Sequence, residues 1–352
     1  MKKIIILYVL VVLLIGCNES IETVNSDIVL RNNRLLGINY SDSTLGFETD
    51  FKHMREANGD LVEILINWPE IETAPYTYTD SRGLLKAIEF YGDEKVQVGI
   101  TIGVINTVKY ELPGDINYMM LGEEETIDRF VDMAKWVLKS VPENVEVAYL
   151  SIGNEIDLIL DSKGDWERYL KFYSQVYREI KSIHPDIVIG SKITVMEGLV
   201  NELTYINMLS EYSDVLMLNY YPQDEEFRVL DPTMIYEHFE IALTNFDLPI
   251  YITEIGYQSG DKYCNSSEDK QAEFYKELFK FWDLNYERIP VILIAWLNDQ
   301  SDEIMTGFKE YYGDQPNLVE YLETLGVRNH DGTPKKAYDA IKHATNERKW
   351  AK

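Results

Sequence analysis

Cysteine is almost absent from this chain: Cys17 and Cys264 are the only two among 352 residues. A disulfide framework of the kind that staples small secreted domains is therefore excluded, and the fold must rest on its own core. The means for one are present, since 45% of the residues are hydrophobic and 12% aromatic. Histidine is scarce too, limited to His53, His184, His238, His330 and His343. Basic residues are outnumbered, 33 against 60 acidic ones, for a formal net charge of −27. That balance argues against nucleic acid and against polyanionic glycans as partners, and it favours solubility. Two motifs are missing as well. No G-x-S-x-G is found, and Gly37-Ile38-Asn39-Tyr40 after the first apolar run is not a Gly-rich phosphate turn.

The chain opens on Met1-Lys2-Lys3, an apolar run from Ile4 to Ile15, and Gly16-Cys17. Such a run is too short to span a bilayer, which takes about 20 residues, and it fits a signal peptide. Leu14-Ile15-Gly16-Cys17 resembles the bacterial lipobox, in which the cysteine is acylated and becomes the first mature residue. An ordinary secretory signal is the plainer alternative. The lipobox reading implies a lipoprotein signal peptide over 1–16 and a polar tether over 17–33, and leaves 34–352 as a single domain. It further implies an exported bacterial lipoprotein, anchored to the membrane through lipid on Cys17 and facing the periplasm or the cell surface. Cys264 is then the one remaining thiol, and with no histidine near it in sequence it reads as a bystander.

Eight short apolar runs follow, beginning near Leu35, Leu61, Val96, Val145, Ile187, Val215, Ile250 and Val291. Most are continuous and rich in β-branched residues, as strands buried on both faces are. Helical periodicity lies between them. In Glu123 to Ser140 the apolar residues Ile127, Phe130, Val131, Ala134, Val137 and Leu138 recur at three and four. Trp166 to Ile183 and Glu268 to Leu284 behave alike, and Asp231-Pro232 reads as an N-cap followed by a first-turn proline. Strand and helix alternating eight times predict an α/β fold, a single (β/α)8 TIM barrel, rather than a doubly wound sheet.

In such a barrel the active site is built at the C-terminal strand ends. Those positions here carry Asn39, Trp68, Asn154, Glu155, Tyr220, Tyr221, Glu254 and Trp296. None is a histidine, so metal-assisted hydrolysis lacks its ligands, and no cofactor or metal is expected. Lys192 on the fifth strand is the one Schiff-base candidate, but a lysine there is more often an ion-pair partner inside the barrel. Two glutamates ringed by amides and aromatics suit glycoside hydrolysis, where one carboxyl protonates the leaving oxygen and another works on the opposite face of the sugar. Each has a plainer reading alone: Glu155 as an acid at a helix N-terminus, Glu254 as the partner of an arginine.

Ser151-Ile152-Gly153-Asn154-Glu155 and Ile252-Thr253-Glu254-Ile255-Gly256 resemble the two catalytic motifs of glycoside hydrolase clan A, the retaining (β/α)8 group. The segment Asp331-Gly332-Thr333-Pro334-Lys335-Lys336-Ala337-Tyr338 is similar to the tail of many members. The resemblance covers about 34 to 346. It implies Glu155 as acid/base, Glu254 as nucleophile, Asn154 on the sugar 2-hydroxyl, Trp296 as a subsite floor, and Tyr220 or Tyr221 on the nucleophile. Asn39 and Trp68 are expected to bind substrate too. The Gly153-Asn154-Glu155-Ile156 form is similar to family 53 endo-β-1,4-galactanases. One departure stands out: the arginine often found at the end of strand two is absent, and Asn67-Trp68-Pro69-Glu70-Ile71-Glu72 takes its place. The implied activity is retaining hydrolysis of a β-linked, largely neutral glycan at the cell surface. An inactive barrel that binds glycan, and a transglycosylase using the same glutamates, are the alternatives. No protein partner is expected.

Overall fold

The computed structural model describes residues 28–350. Cys17, the expected signal peptide and most of the expected tether lie outside them. The eight apolar runs form eight strands, β1 Leu35–Ile38, β2 Leu61–Asn67, β3 Gln97–Asn106, β4 Val147–Asn154, β5 Ile189–Gly190 with Lys192–Thr194, β6 Leu216–Tyr220, β7 Ile250–Ile255 and β8 Val291–Ile294. All pair in parallel with their chain neighbours, and β8 returns to β1 with Leu35 opposite Val291. The ring closes through β5, which is interrupted at Ser191: Ile189–Gly190 pairs with β4 and Lys192–Thr194 with β6. The architecture is that of a (β/α)8 barrel.

The strands are apolar on both sides because both sides are buried. Outward residues such as Val62, Ile66, Val98, Ile100 and Ile152 pack under the helices. Inward residues alternate with them, and Leu61, Tyr149, Val215, Met217, Val291 and Leu293 fill the lower interior. Gly99 is needed there, since a Cβ would stand 2.3 Å from the Tyr149 ring. The helix Glu124–Ser140 buries Ile127, Phe130, Val131, Ala134 and Val137, the stripe its periodicity predicts. Ser162 and Ser267 cap Lys163–Ile183 and Glu268–Leu284, their hydroxyls accepting from the backbone N–H of Asp165 and Lys270. At Asp231-Pro232 the expectation fails. That helix starts at Met234, and Asp231 instead accepts from the N–H and hydroxyl of Thr233, closing a turn.

The N-terminal end of the barrel is closed by charge. Asp283 accepts from Arg34 at 2.8 Å and from Arg348 at 2.6 Å, so one buried carboxylate joins the approach to β1 to the end of the chain. The end of the expected tether takes part in this floor. Arg31 donates its N–H to the carbonyl of Arg348 and pairs with Asp60 at 2.6 Å.

Candidate active site

Backbone irregularities at two strand ends aim the two glutamates. In β4, Gly153 has φ +84°, and a Cβ there would lie 2.6 Å from Ile156 Cγ2. Glu155 follows with φ +48° and ψ +50°, a left-handed conformation that a non-glycine residue holds only when its surroundings impose it. In β7, Ile250 and Ile252 face the helices while Tyr251 faces the interior, so simple alternation would send Glu254 outward. The register shifts instead, between Leu218 and Asn219 on one side and between Ile252 and Ile255 on the other, and Glu254 comes to lie opposite Asn219. Both carboxylates thereby line one cleft of ≈ 990 Å³ at the C-terminal mouth.

Their environments differ. Glu155 is 9% exposed and accepts from Asn219 Nδ2 at 3.1 Å and Thr107 Oγ1 at 3.0 Å. Burial first, and the charge of Glu254 second, push its pKa up to about 7. Glu254 is half-buried and receives Lys192 Nζ at 3.0 Å on one oxygen and the Tyr221 hydroxyl at 2.8 Å on the other. Asn219 ties the two strands together, since its Oδ1 also accepts from Thr253 Oγ1 at 3.0 Å. Asn154 lies between, its Nδ2 3.1 Å from Asn106 Oδ1 and its Oδ1 3.3 Å from Asn219 Nδ2. A carboxyl near neutral pKa beside a carboxylate held by two donors is the pattern of an acid and a nucleophile.

The residues expected at the strand ends separate into two groups. Asn154, Glu155, Tyr221, Glu254 and Trp296 line the cleft, with the Trp296 ring stacked on Phe308 at 5.6 Å. Three expected members are elsewhere. Trp68 is wholly buried against Phe130, and its Nε1 donates to Glu72 at 2.6 Å, so it has no face to offer a sugar. Tyr220 points away from the cleft, its hydroxyl 2.9 Å from His238 Nδ1. Asn39 accepts the N–H of Glu63 at 2.9 Å and serves the β1–β2 junction. The interior ion pair expected of Lys192 is present, with two partners: Glu63 at 2.5 Å and Glu254.

The pair Tyr311-Tyr312 is compatible in sequence with lining a subsite or with packing, and Tyr312 lines the cleft. Tyr321, for which the sequence offers no sign, lines it too and stacks on Phe227 at 5.8 Å. The helix Asp302–Tyr312 after β8 crosses to β3, where the Tyr311 hydroxyl donates to the Asn106 carbonyl at 2.8 Å and Lys109 sits 3.8 Å from the Tyr311 ring. Glu63 was missed as well, although a lone acid inside Leu61-Val62-Glu63-Ile64 signals a buried partner. Cys264 is buried behind the cleft, its Sγ 3.4 Å from the Asn317 carbonyl.

No protein-family model and no curated protein matches the sequence. The fold is similar to solved structures. A family 39 glycoside hydrolase from Bacteroides cellulosilyticus superposes with a TM-score of 0.62 at 16% identity, over 90% of this chain and 64% of that one. An exo-β-1,4-mannosidase from an Opitutaceae bacterium gives 0.70 at 14% identity, over 90% and 60%. A GH5_18 enzyme from Streptomyces cattleya in complex with GlcNAc gives 0.67 at 12% identity, over 90% and 80%. At these identities the likeness is one of fold, and the chain spans less than two thirds of the first two structures.

Proposed function

We propose that the protein is a retaining glycoside hydrolase acting on a β-linked, largely neutral glycan. The observation that carries the reading is the unequal pair in one cleft: Glu155, with its pKa raised to about 7, and Glu254, held by Lys192 and Tyr221. Glu155 donates its proton to the glycosidic oxygen while Glu254 attacks the anomeric carbon, and the bond to the leaving sugar breaks. Water then attacks the glycosyl-enzyme, Glu155 takes its proton, and the carbon–oxygen bond to Glu254 breaks, returning the electron pair to the carboxylate. Asn154 reaches the sugar 2-hydroxyl, and the half-buried Trp296, stacked on Phe308 on one side, offers the other side of its ring to the sugar. Besides the two glutamates the cleft is lined by Glu197, Asp224, Glu225 and Glu226 against one cation, Arg228, which pairs with Asp224 and Glu226, and this acidic excess disfavours anionic sugars.

The first substrates to offer are β-1,4-galactan, on the Gly153-Asn154-Glu155-Ile156 form, and β-mannosides. The latter are suggested by the exo-β-1,4-mannosidase and by a GH5_18 variant from Bifidobacterium longum solved with Manβ1-4GlcNAc. A product-release screen over galactans, mannans, xylans and glucans should give new reducing ends with the native protein. Glu254→Ala should give none, with azide restoring turnover as a glycosyl azide of inverted configuration. Full activity in Glu254→Ala refutes the nucleophile role, and binding without new reducing ends refutes the enzyme. The cell-surface placement rests on Leu14-Ile15-Gly16-Cys17. Cells expressing the full chain should hold it in the membrane fraction and lose it from there on Cys17→Ala; an unchanged distribution speaks against the lipid anchor.

A further inference from the structure

Beneath Glu254 the barrel interior holds a charge relay that the scheme above leaves without a task. Lys192 is wholly buried, and its side chain ends between two carboxylates, Glu63 at 2.5 Å and Glu254 at 3.0 Å. The second oxygen of Glu63 accepts the Tyr149 hydroxyl at 2.5 Å, and the second oxygen of Glu254 accepts Tyr221. Glu63 is 4% exposed and Glu254 20%, so only Glu254 meets the cleft. Burial opposes the Lys192 charge, the two carboxylates outweigh it, and its pKa lies above the ordinary lysine value. A buried ammonium is costly without a counter-charge, and one carboxylate would be enough to hold it. The second one, Glu63, calls for a reason.

We infer that Lys192 is the positioning residue of Glu254, and that Glu63 is the permanent counter-ion keeping Lys192 charged while Glu254 is esterified. The inference rests on the nucleophile reading of Glu254. In the resting protein Lys192 faces two carboxyl groups; burial raises the Glu63 carboxyl above the usual carboxylate range, and Lys192 and the Tyr149 hydroxyl oppose that rise. When Glu254 attacks the anomeric carbon its charge is lost into the ester bond, and Lys192 is left facing Glu63 alone, a neutral buried pair. When water attacks, the electron pair of the breaking carbon–oxygen bond returns to the Glu254 carboxylate, whose charge spreads over both oxygens, and the Lys192 ammonium already contacts one of them. The lysine therefore assists departure of Glu254 in the second step more than attack in the first. It reaches the carboxylate from below the cleft, on β5, in a chain that has no arginine at the end of β2.

The test uses the dinitrophenyl β-glycoside of whichever sugar the product screen identifies. With that leaving group the first step is fast, and Lys192→Met should lower kcat by about 100-fold, the scale of removing one preorganised donor. KM should fall with kcat, an initial burst of dinitrophenol should appear, and intact mass should show one glycosyl group held on the protein. Lys192→Arg should recover part of kcat. Should Lys192→Met fail to fold because Glu63 is orphaned, the double variant Lys192→Met/Glu63→Gln removes that charge and must show the same burst. A folded variant with kcat within about threefold of the parent and no covalent species overturns the inference. The azide rescue of Glu254→Ala leaves Lys192 in place and tests the nucleophile reading by itself. If that rescue fails, it is the nucleophile reading that falls.

Discussion

Glu155 sits one residue past the end of β4 in a left-handed conformation, its carboxyl shielded from water on all but a small face. Its displaced pKa has two consequences of opposite kind. For catalysis the carboxyl must hold its proton, so kcat/KM should decline as the pH rises through about 7. A profile flat to alkaline pH removes Glu155 as the acid. For stability the folded protein holds this proton more tightly than the unfolded chain, whose carboxyl keeps the ordinary value of 4.5. The contribution is therefore fully present below that value and is lost as pH rises through the folded value. Glu155→Gln has no proton to lose. At pH 8 it should be more stable than the parent in urea, by on the order of 1–3 kcal/mol, and the difference should close in acid. A parent that gains stability relative to Glu155→Gln on going from acid to alkaline pH contradicts the burial argument.

At the scale of elements, strands and helices were legible because they follow from local pattern. The runs starting near Leu61 and Val145 became β2 and β4, and Glu268–Leu284 matched its apolar period. Asn154 and Glu155 could be read as a site because a charge at the end of a buried strand is costly without a function. Glu254 was legible as a residue but its direction was not, since alternation places it on the outer face and only the register shifts beside Leu218 and Ile252 turn it inward. Trp68 misled for a related reason. An aromatic directly after a strand is equally compatible with facing a cleft or a helix, and the acceptor Glu72, four residues on, drew its Nε1 into the protein. Tyr220 and Tyr221 were equivalent in sequence; one rotation of the chain after β6 sends the first to His238 and the second to Glu254. The helix Asp302–Tyr312 carries local helix marks, a Ser301 cap with Asp302 and Glu303 in the first turn, but nothing local marks its crossing to β3, because its partners there, Asn106 and Lys109, are about 200 residues away along the chain.

For the whole molecule, closure is the governing event. The two halves of β5 join the ring, one paired with β4 and the other with β6, and the floor is completed by Asp283 between Arg34 and Arg348. Each of the three side chains is at most 5% exposed. Asp283→Asn leaves Arg34 buried without a counter-charge and Arg348 with only the exposed Glu347, 4.0 Å away, and it should lower stability by about 3–5 kcal/mol, read as a shift of the urea midpoint. A midpoint that does not move would show that the two arginines find other acceptors.

The sequence by itself determined the alternation of strand and helix, the eight-fold count and the placement of two glutamates at strand ends. Those depend on hydrophobic period and on the cost of misplaced charge, which are local properties. Tertiary structure alone decided which way Glu254 points, which tyrosine touches it, and that Lys192 meets both Glu63 and Glu254. These follow from ring closure, which sets the register between strands far apart in sequence and brings charges from β2, β5 and β7 to one point. No single stretch of chain records that meeting.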